Sequence, residues 1–129
     1  LAKKIKGEIK YHTLHADTFL KQLGNGTEES HAKMQSALNY AWPFALGMFE
    51  KSDYESELIS EGVFEGEDTL KSLWLAKVTS IITAANLNVP ATDESKIVYG
   101  GRQFYHSQYL QPLLMEMTEV TQLDPSAEW

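Results

Sequence analysis

Along most of the chain, apolar residues return every three or four positions, and glycine, proline and short polar clusters break that rhythm in only a few places. A period of 3.6 is the signature of amphipathic helices, and no strand-like alternation competes with it. Ile5, Ile9, His12, Ala16, Phe19 and Leu23 form the first stripe, with Lys3, Lys6, Lys10 and Asp17 facing elsewhere. Gly24-Asn25-Gly26 ends this segment, because these residues accept the left-handed conformation of helix termini. Thr27 is placed to cap a second helix, with Glu28 and Glu29 favourable to its dipole. Its inward stripe reads His31, Met34, Leu38, Ala41, Ala45 and Met48, and Pro43 inside it predicts a bend or a split.

One weak helix is expected in the acidic stretch from Asp53 to Glu61, ahead of Gly62 and Gly66. Asp68 or Thr69 then opens a helix that is apolar nearly all round from Leu70 to Leu87, a pattern that requires burial on more than one side. Asn86 to Gly101 reads as a loop, since Pro90 blocks continuation and Thr92 to Ser95 are polar. The last helix is expected from near Arg102, carrying His106, Leu110, Leu113, Met117 and Val120, bent at Pro112 and stopped by Asp124-Pro125. The architecture predicted is an all-α bundle of about four long helices, forming a single helical domain over residues 1–129. Leu1 is not a methionine, and the first stripe is already running there without a cap. The expectation is a fragment whose preceding helices are absent.

With 129 residues and 43% apolar content, the chain can fill one core. It has no cysteine, which removes disulfides, thiolate metal sites and cysteine nucleophiles and agrees with a cytoplasmic location. No apolar run approaches a membrane span, so no membrane partner is expected. A net charge of -7 without a basic patch argues against nucleic acid.

Three places could carry chemistry. Glu8, His12 and His15 stack on one side of the first helix by spacings of four and three, and such a set can bind iron, manganese or zinc. Di-iron bundles use Glu-x-x-His, however, and here Tyr11 holds the histidine's place. The reading preferred is a degenerate site without metal, in which His12 is a buried, hydrogen-bonded core histidine. Gly100-Gly101-Arg102, followed by Tyr105 and His106, could receive an anion or a partner through Arg102 at a helix start. The aromatic set Tyr11, Phe19, Tyr40, Trp42, Phe44, Trp74, Phe104, Tyr105 and Tyr109 is expected mostly in the core, with the remainder available to a partner chain. No Ser-His-Asp order, P-loop, Rossmann fingerprint or zinc spacing is present.

Several strings together carry a family resemblance: Glu8-Ile9-Lys10-Tyr11-His12, Leu23-Gly24-Asn25-Gly26-Thr27, Leu58 to Gly62, Leu87-Asn88-Val89-Pro90 and Gly100-Gly101-Arg102. His106, Leu110, Leu114, Glu116-Met117 and Trp129 continue them in order. The chain resembles the C-terminal half of the structural subunit of bacterial phenylacetyl-CoA epoxidases. That resemblance implies part of a ferritin-like helical bundle, with no catalytic or cofactor-binding residue of its own. It also implies a homologous catalytic subunit as partner, holding a di-iron centre that epoxidises phenylacetyl-CoA with oxygen and electrons from a separate reductase. Two other readings stand beside it: a catalytic ferritin-like di-iron oxygenase or oxidase with Glu8 and His12 as ligands, and a free-standing helical interaction module. The apolar helices further predict self-association, or contact with another chain, through their aromatic and aliphatic residues.

Overall fold

A computed structural model describes residues 2–126; Leu1 and Trp129, on which the first stripe and the resemblance partly draw, lie outside the described residues. The α-helices are α1 (Ala2–Gly24), α2 (Glu28–Gly47), α3 (Glu55–Ser60), α4 (Glu67–Ala84) and α5 (Leu110–Leu123), with single 3₁₀ turns at Glu94–Lys96 and Gly101–Gln103. No strand occurs among the described residues. The chain divides into two compact units, residues 1–99 with α1 to α4 and residues 100–129 with α5.

The breaks fall where glycine and asparagine place them. Thr27 caps α2 through its side-chain oxygen, which accepts from the Ser30 N–H at 3.2 Å. The Ser30 hydroxyl reaches back to the Leu23 carbonyl at 2.8 Å, so the turn is fixed from both sides. The end of α4 is a Schellman motif: Leu87 N–H donates to Ile82 O, Asn86 N–H donates to Thr83 O, and Asn86 takes a left-handed φ of 56°. Ile82 and Leu87, the hydrophobic pair of that motif, both enter the core. The two helix ends are then tied together. Asn25 Nδ2 donates to Ala84 O at 3.3 Å, and Asn86 Nδ2 donates to Asn25 Oδ1 at 2.6 Å. Gly24 lies against the Ala85 carbonyl, leaving no room for a β-carbon.

The core of the first unit joins Trp42, Leu46, Ile82, Ala85, Leu87 and Ile97, with Leu20, Met34, Leu38, Trp74, Leu75 and Val78 packed against it. Trp42 and Phe49 each meet Trp74 at ring-centroid distances of 5.5 Å. α1 packs against α2 and α4, but not by the predicted stripe. Its half-buried residues are Thr13, Asp17, Thr18 and Leu20, and Gly24 is buried, whereas Ile5, Ile9, His12, Ala16, Phe19 and Leu23 stand exposed. Small side chains and a glycine let the backbones approach, and close approach decided the face. On α2 the predicted stripe largely holds, His31, Met34, Leu38 and Ala45 being half-buried beside the buried Trp42 and Leu46, while Ala41 is exposed, as is Met48 just past the helix end. α4 is covered on one side only, with Leu70 and Leu73 exposed on the other.

Further expectations need correction. The last helix begins at Leu110, not near Arg102, so His106 precedes it and is exposed. Pro112 therefore sits in the first turn, where the N–H it lacks has no intrahelical acceptor, and it does not bend the helix interior. Of the bend or split expected at Pro43 the split does not occur, since α2 continues through it as one helix, and the Pro43 carbonyl accepts from Val98 N–H at 3.3 Å. The start of α4 takes its cap from elsewhere: Gly66, at φ 91°, has no side chain to offer, and Glu55 Oε1 accepts from Glu67 N–H at 3.1 Å.

Candidate functional site

Glu8, His12 and His15 share one side of α1, as their spacing requires, and all three are exposed. This corrects the reading of His12 as a buried core residue. The neighbours of these histidines are rings on their own helix. Tyr11 meets His12 edge-on at 5.9 Å and His15 at 6.2 Å, and His15 lies 4.5 Å from Phe19. An enclosed di-iron site needs inward carboxylates from several helices. Among the described residues, no group of three or more histidine, aspartate, glutamate or cysteine side chains is placed to hold a metal ion. The set on α1 does not fit such a centre. The structural histidine is His31 instead, half-buried with Nδ1 2.7 Å from the Gly24 carbonyl oxygen.

Arg102 lies exposed in the 3₁₀ turn Gly101–Gln103, so the long helix start that gave Gly-Gly-Arg its anion-binding rationale is absent. Gly100 is needed for shape. Its φ is 116°, its carbonyl accepts from Gln103 and Tyr105 N–H at 2.9 Å each, and a β-carbon would meet Tyr105 Cβ at 2.9 Å. Of the aromatic set, Trp42 and Trp74 belong to the core; Tyr11, Phe19, Tyr40, Phe44, Phe104, Tyr105 and Tyr109 are exposed. The expectation that most would be internal fails because the helical faces bearing them are uncovered.

A hollow of about 420 Å³, which the sequence reading missed, lies between the C-terminal half of α2 and the segment after α4. Asn39, Trp42, Pro43, Leu46, Pro90, Ala91, Asp93 and Lys96 line it. The segment is held over α2 at both ends. At Asn88, Gln35 makes a two-point clamp, Oε1 accepting from the Asn88 N–H at 2.8 Å and Nε2 donating to its carbonyl at 3.0 Å. At the far end Val98 bonds Pro43, and Gly47 meets the Val98 backbone so closely that only glycine fits. In between, Asp93 accepts from the Ser95 N–H and hydroxyl and pairs with Lys96 at 3.2 Å. The Ser95 hydroxyl and the Lys96 ammonium hold the Asp93 carboxyl below the usual carboxylate range. The string Asn88-Val89-Pro90 thus acquires a structural meaning.

Burial also gathers on acids near α3. Glu50, Glu55 and Glu67 are all buried, and Glu55 Oε2 has no hydrogen-bond partner among the described residues while its Oε1 caps α4. The cap is a structural role, and nothing further among the described residues converges on that oxygen.

No helix among the described residues is long and apolar enough to cross a membrane. Compared with known proteins, the chain is 37% identical over 128 residues to one subunit of the 1,2-phenylacetyl-CoA epoxidase of Escherichia coli (strain K12). The alignment covers 99% of this chain and 50% of that protein, so the chain spans about half the length of its curated relative. The family of phenylacetic acid catabolic proteins matches over residues 1–129. With that match over its whole length and that identity to a relative, the chain belongs to the phenylacetic acid catabolic protein family, whose fold is ferritin-like.

Proposed function

We propose that the chain is a non-catalytic structural subunit of a multicomponent phenylacetyl-CoA epoxidase of aerobic phenylacetate degradation, working in the cytoplasm beside a homologous catalytic subunit. Its similarity to a subunit of such an epoxidase supports the assignment to the complex. The observation that carries the non-catalytic role is the state of the Glu8–His15 set. Tyr11 stands at the ligand position of Glu-x-x-His, and Glu8, His12 and His15 are exposed on one helix, with no carboxylate from another described element completing a metal site. The di-iron centre then belongs to the partner, and this chain holds no cofactor of its own. The role left to it is to cover and position the catalytic subunit, and the apolar residues Ile5, Ile9, Leu14 and Phe19, exposed along α1, are suited to that contact.

Co-expression of the chain, at the full length of its gene, with the homologous catalytic subunit tests this reading. The two are expected to co-elute in size-exclusion chromatography, with iron measured by mass spectrometry following the catalytic subunit when they are separated. Iron retained stoichiometrically by this chain alone, and lost on Glu8→Ala or His12→Ala substitution, would overturn the scaffold role.

A further inference from the structure

Two residues other than glycine take a positive φ among the described residues, Asn86 at 56° and Phe104 at 65°. Asn86 is suited to it. Asparagine tolerates the left-handed region, and here its side chain bonds Asn25 while its backbone closes the end of α4. Phe104 is not. A bulky side chain crowds the backbone there, and glycine would hold the same turn without that cost. Strain of this kind persists only where something compensates it. Burial of the ring does not, since Phe104 is 89% exposed, more than any other large apolar side chain among the described residues.

The ring does not stand alone. Tyr105 and Tyr109 are exposed as well, so three aromatic side chains meet solvent within six residues. Aromatic residues are enriched at protein–protein interfaces, where a few of them, seated in pockets of the partner, carry most of the affinity. A ring this exposed encloses no small molecule, so whatever receives it must itself be concave. No lysine or arginine follows Arg102 in the sequence, which disfavours a nucleic acid or an anionic membrane surface as the acceptor. We propose that Phe104 is an anchor for the catalytic subunit, its ring entering an apolar pocket on that chain, and that the left-handed backbone is kept because it presents the ring before contact. The inference rests on the scaffold role and adds a single-residue anchor to the broad apolar contact offered by α1.

Two substitutions separate the ring from the strain. Phe104→Ala deletes the ring and leaves a side chain in the left-handed conformation; Phe104→Gly removes both. The chain at the full length of its gene is titrated with the catalytic subunit by isothermal titration calorimetry, and its unfolding is followed by circular dichroism. Affinity is expected to fall about 30-fold or more in both variants, as when a hot-spot residue is truncated. The melting temperature should rise in Phe104→Gly alone. Affinity unchanged in both variants shows that no pocket receives the ring, and a melting temperature lowered in both shows that the ring serves this chain's own fold; either result overturns the anchor. An oligomer of the chain alone that Phe104→Ala disperses in sedimentation would give the pocket to a second copy, and the assignment to the catalytic subunit would fall. Absence of binding by the unsubstituted chain refutes the pairing itself, whereas binding that survives both substitutions refutes only the anchor.

Discussion

At Gly47 the last turn of α2 comes so close to Val98 that an added β-carbon would collide with the Val98 carbonyl. Gly7, in the first half of α1, has nothing within 4 Å of the same added atom. Glycine to alanine in a helix interior ordinarily gains about 0.5–1 kcal/mol. The two positions should therefore answer with opposite signs. Gly7→Ala is expected to stabilise by that amount, and Gly47→Ala to destabilise by about 1–3 kcal/mol through overpacking against backbone that cannot yield. Urea denaturation of both variants measures the difference, and equal shifts would show that the covering segment is not seated where the structure has it. Glu55 makes a second residue-scale case, since its Oε1 caps α4 from another element. Glu55→Ala should cost about 0.5–2 kcal/mol in thermal or urea unfolding, as lost caps do, and Glu55→Gln should cost less because the acceptor survives. No local pattern at Gly66 announces this cap; a side chain from the preceding helix supplies it, which is why sequence reading placed the helix start at Asp68 or Thr69 instead. The Glu8–His12–His15 spacing was legible, but its burial was not, because i, i+4 geometry says which side chains share a face and not what covers that face.

At the scale of elements, where helices stop was readable, and which side they bury was readable on α2 but not on α1. Gly24 to Gly26, Gly62 to Gly66 and the segment from Asn86 were identified from residues that tolerate special dihedrals, and each is a helix boundary. The faces were misjudged on α1 and α4, which carry apolar residues on more than one side, so several stripes satisfy the same period; most of the α2 stripe packs inward as predicted. Close backbone approach at Gly24 and Gly47 then selects among them, an outcome that depends on partners distant in sequence. The prolines separate the two effects. Pro43 removes a donor inside α2, whereas Pro112 lies in the first turn of α5, where none is missed. Pro43→Ala returns a donor to the Asn39 carbonyl and is expected to raise stability by about 1 kcal/mol, the net value of a helical hydrogen bond. Pro112→Ala should stay within about 0.5 kcal/mol of the parent. Differential scanning calorimetry of the two variants would reveal either a missing contrast or a reversed one, and both would argue that Pro43 is as well accommodated as a terminal proline.

For the molecule as a whole, the most apolar face of its longest helix is turned outward. Ile5 and Ile9, which share a face, are 44% and 58% exposed, although Thr13, Asp17 and Gly24 on the packed side are smaller or more polar. Such a face is suited to being covered by a further element, since burying each such side chain contributes about 1.5–3 kcal/mol. The internal contacts and the external ones can then be told apart by one substitution set. Ile5→Lys with Ile9→Lys removes that face without touching Thr13, Leu20 or Gly24. The denaturation midpoint of the chain alone is expected to remain within about 0.5 kcal/mol of the parent, as for exposed positions generally. Self-association, or binding to the catalytic subunit, should fall by at least about 100-fold in light scattering or sedimentation, as expected when two buried apolar anchors are replaced by charges. Loss of stability with association unchanged would put Ile5 and Ile9 inside this chain's own fold, and the surface proposed for a partner would have to lie elsewhere.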